Sequence, residues 1–513
     1  MSDSHISWNG CRMGALGLPL LLALTTAACS SSDAEGERAG DPLAIGQQAP
    51  WPTREWTVVT PQEMDMDPAQ LENARAYAMR PAQNTQGVVV VRGGAIVAEW
   101  YADGYDASSF ANSWSMAKSF TSASLGIAIE EGLVGGIDDT LEEYYPEWAN
   151  TEKGRIPLHS LLQMQSGLDF IEDYADITNS DVIAIGGTDD TLKYVLDKVN
   201  VKVPYDTQWY YSGGDTLLLS GIIERKTGKS TTDYAAKKIF EPIGMNPVEW
   251  WVDGKDQTIA FCCMDAPIRQ FAKFGLLFLR GGEWDGKRVV PKAWVKESTT
   301  TRAQHYDGYA YQWWLAQGDS KLPKDLYWAS GKDGQAIYVI PSLDLVVAKN
   351  TIYRKAPGPA IADTGYINKM TPGGLTQYGT LAAQLWEDGP FLSAIIRSIA
   401  GTSQEEIPAT PPPGSSPNDP ALCREKSKTT FAGYCEEMHG CVCKDCAPEL
   451  LDCHNNDQCK AILQCALEVE CRGIACAAPC AQVIEESGGV QGAGVALALH
   501  VSECSTNCPT SCP

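Results

Sequence analysis

Two residues three positions apart, Ser115 and Lys118, have types and spacing suited to covalent chemistry. A hydroxyl at a helix amino terminus sits where unpaired backbone N–H groups and the helix dipole favour developing negative charge. A lysine three residues on shares its face, and burial lowers its pKa so that it can take the hydroxyl proton. Ser115-Met116-Ala117-Lys118 is the only S-x-x-K in the chain. On spacing alone it is equally an ordinary helix start with a solvated lysine. The histidines prune the alternatives. Of six His, only His159 and His305 fall within residues 51–401, and no G-x-S-x-G elbow occurs, so a Ser-His-Asp triad is poorly supported. Two scattered His do not make a zinc site, and no metal or cofactor is expected.

The elements that must position this pair read as α+β. Ala117 to Glu131 has helical spacing with small residues along it, which predicts an interior helix. Asp67 to Met79 predicts a helix with an Asp cap, and Thr216 to Lys226 one that ends at Gly228. Gly87 to Tyr101, GVVVVRGGAIVAEWY, reads as two strands joined at Gly93-Gly94. Ala336 to Lys349 is a second hairpin with Pro341 near its turn. Hairpins at both ends with helices between predict an antiparallel sheet completed by both chain ends, flanked by helices, with an all-helical subdomain.

A chain of 513 residues exceeds one core. Its net charge of −24, with no compensating Lys/Arg run, excludes nucleic acid as a partner. Of 18 Cys, 14 lie between Cys423 and Cys512, a density that predicts a disulfide-rich module in an oxidising compartment. Met13 to Leu24 is a short apolar run ending in Thr26-Ala27-Ala28-Cys29, too short to span a membrane. It resembles a bacterial lipoprotein signal with Cys29 as the lipidated residue, a cleaved secretory signal being the alternative. The expected organisation is a signal over 1–28, a polar tether over 29–50, a catalytic-sized unit over 51–401, a Pro/Ser linker over 402–422 and a cysteine-rich module over 423–513. The expected location is the bacterial cell envelope, with a lipid anchor as the only membrane contact. In the module Cys441-x-Cys443-x2-Cys446 hints at metal, but an even cysteine count favours up to seven disulfides of undeducible connectivity. The module is expected to anchor, space or bind a surface partner.

Several segments, taken in order, resemble the serine β-lactamase/penicillin-binding-protein family, in particular its class C-like branch of esterases and 6-aminohexanoate-dimer hydrolases. They are Ser115–Lys118, then His159-Ser-Leu-Leu-Gln-Met-Gln-Ser-Gly-Leu168, then Trp209-Tyr-Tyr-Ser-Gly213 with the helix after it. Ile268–Gly275, Tyr309–Trp314 and Ala329-Ser-Gly-Lys-Asp-Gly-Gln335 complete the series. The resemblance covers about residues 60–400 and implies a β-lactamase/transpeptidase-like fold. It implies Ser115 as nucleophile, Lys118 as its base or proton relay, and Tyr211 as the phenol that shares the serine's proton and passes it to the leaving group. The oxyanion hole would be the N–H of Ser115 and one near Gly331–Lys332.

Two departures bear on the substrate. Gly213 stands where β-lactamases commonly carry Asn, and Ala329-Ser330-Gly331 lacks the Lys or His that family members use beside the substrate carboxylate. Both point away from penicillin or D-Ala-D-Ala and toward a small ester or amide. A β-lactamase, a D,D-peptidase or a non-catalytic binding protein on the same fold are the alternatives. Tyr174 in Glu172-Asp173-Tyr174 is a candidate for the site wall, and His159 reads as structural. Trp209, Trp313, Trp314 and Trp328 read as core before substrate wall. Adjacent Cys262 and Cys263 read as buried thiols, since bridging neighbours strains the backbone.

Overall fold

The structure is a computed structural model. It describes residues 49–174, 179–318, 320–355, 360–363, 367–370, 379–383 and 386–409, then 419–430, 436–469, 476, 479–486, 493–504 and 508. The chain divides into two compact units, Met1–Pro42 and Leu43–Pro513. Only residues of the second are described, so the expected signal, Cys29 and nearly all of the tether lie outside the described residues.

Helix α1 (Pro68–Ala78) opens on Asp67, whose carboxylate accepts the N–H of Ala69. Strands β1 (Thr85–Arg92) and β2 (Ala95–Tyr101) follow, joined through Gly93 and Gly94, both at positive φ. A short strand β3 (Phe110–Asn112) leads into helix α2 (Ala117–Glu130). A helical region follows, containing α3 (Gly213–Thr227), which Gly228 closes at φ +67°. Next come β4 (Val248–Trp251), β5 (Met264–Pro267), α4 (Ile268–Leu279) and α5 (Lys292–Thr300). Strands β6 (Trp314–Leu315), β7 (Tyr327–Gly331), β8 (Gln335–Ile340) and β9 (Leu345–Thr351) complete the main sheet, whose order is β2-β1-β9-β8-β7-β6 and wholly antiparallel. Strands β10 (Ala360–Asp363) and β11 (Ile367–Met370) extend a second sheet, β10-β11-β4-β5-β3, in which only β11–β4 is parallel. Helix α6 (Asp388–Arg397) returns beside α1.

The Val88–Val91 run is apolar throughout because the main sheet is covered on both faces. Val89 and Val91 face one core with Met116, Phe120 and Phe274, while Val88 and Val90 face the other with Leu71, Phe391 and Ile395. The first core holds α2. Phe120 stacks on Phe274 of α4 with ring centroids 3.6 Å apart. Gly275 lets α4 lie on the sheet, since a Cβ there would meet Val346 and Ile337 at 2.6 and 2.7 Å.

The linker boundaries shift. Residues 402–409 lie against α6, with Ile407 packed over Gly389, its N–H bonded to Ser393 Oγ, and Glu406 paired with Arg397. An apolar residue with a surface to cover ends the solvated stretch. Helix α7 (Pro420–Thr430) begins inside the span expected to be linker. It is followed by α8 (Glu436–Asp445), α9 (Ala447–His454), α10 (Asp457–Glu468), α11 (Ala481–Glu486) and α12 (Ala493–Cys504). Disulfides Cys423–Cys443, Cys441–Cys508, Cys453–Cys459 and Cys465–Cys480 staple these helices over a small core that includes Leu450, Ile462 and Val501. Cys446 is also disulfide-bonded, so all three cysteines of the metal-like spacing are taken up by sulfur. No helix among the described residues is long and apolar enough to cross a membrane.

Residues Ala117 to Ala128 of α2 are all buried. A Cβ on Gly126 would stand 2.2 to 2.5 Å from the indole of Trp294, itself buried on α5. Ala gains about 1 kcal/mol over Gly in a helix interior, whereas overpacking a rigid ring costs ~1–3 kcal/mol. Gly126→Ala is therefore expected to lower stability by up to ~2 kcal/mol, read as a lower urea midpoint; a higher midpoint would contradict this packing.

Candidate active site

Strand β3 delivers the chain to α2 through a braced turn. Asn112 pairs with Asp265 of β5 in register, and its Nδ2 donates to Asp265 Oδ1 at 2.6 Å. Asn112 Oδ1 accepts the N–H of Trp114 at 2.8 Å. Ser113 exchanges two bonds with Met264: its N–H donates to the Met264 carbonyl at 2.7 Å, and its Oγ accepts the Met264 N–H at 2.9 Å. These bonds hold Trp114 at φ +43°, a left-handed conformation sparsely populated by residues with a side chain. Ser115 follows in the turn that opens α2. Asp265 is fully buried and also accepts from Trp251 Nε1 at 3.2 Å and the Tyr353 hydroxyl at 2.9 Å. Burial pushes its carboxyl up to about 7, while the three donors pull it back.

Lys118 is 1% exposed. Its Nζ donates to Ser115 Oγ at 3.0 Å and to the Phe261 carbonyl at 3.1 Å, and lies 4.6 Å from the Tyr211 ring centroid. Burial lowers its pKa from 10.5 to about 8, against the opposing pull of Glu172 and Asp215. The Tyr211 phenol is hydrogen-bonded to Ser115, and burial with the Glu172 charge raises it well above its ordinary value. Tyr211 is aimed by the segment around Met164, whose carbonyl and sulfur accept the N–H groups of Tyr210 and Ser212. Ser212 then caps α3 through Asp215 N–H. Lys118 from the same helix and Tyr211 from far along the chain thus meet on the Ser115 hydroxyl.

Gly331 ends β7 against the turn that carries Ser115; a Cβ there would lie 2.2 Å from the Ser113 carbonyl. Its missing side chain lets the end of β7 close on Ser113 and Trp114, the residues just before Ser115. Lys332 Nζ is paired with Asp333 at 2.7 Å, with the Trp114 and Tyr174 rings each 5.7 Å away. Thr380 Oγ1 donates to Asp333 and accepts from Trp114 Nε1. Tyr174 lies at the site with its hydroxyl on Glu172 at 3.0 Å. Gly213 stands behind Lys118, and its N–H donates to the Glu172 carboxylate.

Besides Asp265, two acids with buried carboxylates escaped the sequence reading. Glu172, 3% exposed, lies 3.9 Å from Lys118 Nζ. Asp215 accepts from Ser166 and Ser212, and burial pushes it up to about 8. An acid is visible in a sequence; its burial beside a particular lysine is not. The histidines stand apart, both bonded to Asp206, as the structural reading of His159 expects.

The tryptophans divide. Trp313 is core, stacked on Phe274. Trp209 and Trp314 instead form a wall with Tyr306 and Tyr309, and Trp314 stacks on the catalytic-candidate ring of Tyr211 at 5.8 Å. Tyr306, Trp314 and Trp328 also line a cavity of about 500 Å³ with Leu322, Leu326 and Ile407. The reading of Cys262 and Cys263 as thiols is corrected: both are buried, but their sulfurs are bonded. Cys263 takes φ +74°, a turn that brings consecutive side chains together.

A serine hydroxyl held between a buried amine and a phenol, at the start of a buried helix, defines a serine hydrolase. The chain belongs to the Beta-lactamase family, whose model matches residues 74–368. It is 25% identical over 289 residues to the 6-aminohexanoate-dimer hydrolase of Paenarthrobacter ureafaciens, covering 52% of this chain and 72% of that protein. Among solved structures it is similar to a putative 6-aminohexanoate-dimer hydrolase from Bacillus anthracis, at 24% identity and TM-score 0.47, over 52% of this chain and 74% of that one. A family VIII carboxylesterase is similar at 16% identity and TM-score 0.45, over 64% of this chain and 96% of that one.

Asp265 is the shared acceptor behind the Ser115 turn. Asp265→Ala leaves three buried donors unpaired at ~1–3 kcal/mol apiece, so a loss of about 3 kcal/mol or more is expected in urea unfolding. Slower modification of Ser115 by a fluorophosphonate should accompany it. Unchanged stability and labelling would show that the brace is dispensable.

Proposed function

We propose that the protein hydrolyses small ester or amide substrates through an acyl-enzyme on Ser115, and that it is exported and held at the cell envelope by a lipid on Cys29. The observation that carries the catalytic reading is the meeting of Lys118 and Tyr211 on Ser115 Oγ, with the amine buried and its pKa lowered. Neutral Lys118 takes the Ser115 proton as Oγ bonds to the acyl carbon. The carbonyl oxygen turns to the N–H of Ser115 and the backbone at Gly331–Lys332, where preorganised donors meet the new charge. Tyr211, kept protonated by burial, delivers a proton to the departing alcohol or amine, and water then attacks the ester of Ser115 by the same route in reverse. The similarity to a 6-aminohexanoate-dimer hydrolase supports an amide substrate. The tether rests on the run before Cys29, and the stapled helices of the module are the surface offered to an envelope partner.

The test is intact mass of the full chain after a fluorophosphonate probe. One adduct is expected on wild type and none on Ser115→Ala; a folded wild type that takes no adduct sinks the reading. Lys118→Ala and Tyr211→Phe should slow labelling by ~10²–10⁴-fold, the range for a lost general acid or base. The neutral amine is the active form, so wild-type labelling should rise with pH through about 8. A rate flat from pH 6 to 9 would remove Lys118 as the base.

A further inference from the structure

Glu172 takes part in neither the bond-making atoms nor the core. Its two oxygens accept from the Tyr174 hydroxyl and the Gly213 N–H, leaving a carboxylate 3% exposed and 3.9 Å from Lys118 Nζ. Gly213 has no need of glycine's conformational freedom, since its φ is not positive. It needs the space: a Cβ there would stand 3.0 Å from Glu172 Oε2 and 3.1 Å from the Phe261 ring. The glycine that departs from the family's second motif and the buried acid are therefore in contact, and a side chain at 213 fits only if the carboxylate of Glu172 gives way by a few tenths of an ångström.

We propose that Glu172 is a positioning residue that sets the charge on Lys118, from the space that a side chain at position 213 would otherwise fill. This rests on Lys118 being the base of the hydrolase reading. Of the two acids whose charge opposes the burial of Lys118, Glu172 is the stronger influence and Asp215 the weaker. Tyr174 and Tyr211 are phenols, as is Tyr309 on the wall, which burial keeps protonated. Asp215 on α3, pushed up to about 8 by burial, titrates over the same range as Lys118 and adds its charge only toward the alkaline side. Asp333, beyond Tyr174, is paired with Lys332. An opposite charge at this distance holds an ammonium by ~1–3 pH units, so Glu172 offsets part of the burial that lowers Lys118. It keeps the amine a strong enough base to take a proton from a serine.

The experiment is the pH dependence, from 5 to 10, of fluorophosphonate labelling of Ser115 in the full chain. It compares wild type, Glu172→Gln, Gly213→Asn, and Gly213→Asn combined with Glu172→Gly. Wild type should show a midpoint near 8. In Glu172→Gln the midpoint should fall by about one unit or more, and the plateau rate by roughly tenfold, because a less basic amine is the weaker base. Gly213→Asn alone should lose labelling at least tenfold. The paired variant should recover most of that loss with its midpoint still below wild type. A stationary midpoint in Glu172→Gln, or a pair no better than Gly213→Asn alone, overturns the assignment. Should Glu172→Gln fail to fold by circular dichroism, the paired variant carries the same test. Wild type that labels with an unmoved midpoint in the variants sinks only the role of Glu172, whereas wild type that never labels sinks the hydrolase reading itself.

Discussion

The rest of the structure depends on keeping one amine dry. Lys118 is 1% exposed, and moving its pKa from 10.5 to about 8 corresponds to roughly 3 kcal/mol of net penalty on its charged form. Against a typical net stability of ~5–15 kcal/mol, that is a large concession at one residue. The surroundings limit it by giving the amine two acceptors in fixed positions, Ser115 Oγ and the Phe261 carbonyl, and the Glu172 carboxylate as an ion pair 3.9 Å away. A water-filled site would solvate the ammonium and return it to the ordinary lysine range, where it is no base at neutral pH.

Dryness also explains why α2 is built of small residues. Its hydroxyls do not face water; Ser119, Thr121 and Ser122 donate to the carbonyls of Gln312, Ala260 and Tyr311. Each satisfies a donor inside the core and fixes a neighbouring segment against the helix. The Ala260 bond and the Lys118 bond to Phe261 pin the same loop that, at Met264, holds Ser113. The loop therefore registers nucleophile and base to each other. The carboxyl of Asp265 stands behind it as the acceptor that keeps Trp114 in its left-handed turn.

What the sequence made legible was local. Ser115 and Lys118 share a helix face, so spacing alone brings them together. The valines of β1 and the paired glycines after them announce a hairpin, because a run apolar on both faces and a turn needing positive φ are each written in consecutive residues. Tyr211 was reachable only through resemblance, since nothing near it in the chain shows that Met164 aims it at Ser115. Glu172 and Asp265 were not reachable, because a carboxylate's burial depends on which strands and loops close over it. Cys262–Cys263 was misread for a similar reason: the rule against bridging neighbours assumes ordinary backbone, and Cys263 sits at φ +74°.

The same pairing logic bears on substrate charge. Lys118, bonded to Ser115, and Lys332, near the Trp114 and Tyr174 rings, are each matched to a carboxylate: Glu172 and Asp333. A substrate carboxylate entering the site would have to break one of those pairs and leave a buried acid uncompensated, which is strongly unfavourable. A neutral ester or amide makes no such demand. Beside Tyr211 the rings of Trp209, Tyr306 and Trp314, backed by the buried ring of Tyr309, offer apolar area and are locked against one another at centroid distances of 4.4 to 6.4 Å. The cation absent from Ala329-Ser330-Gly331 and the side chain absent from Gly213 are then consistent with each other. Where the site gives up groups that would recognise an anion, it places buried acids and aromatic walls, and the pairing at Lys118 that discourages an anionic substrate also keeps its amine basic enough to activate the serine.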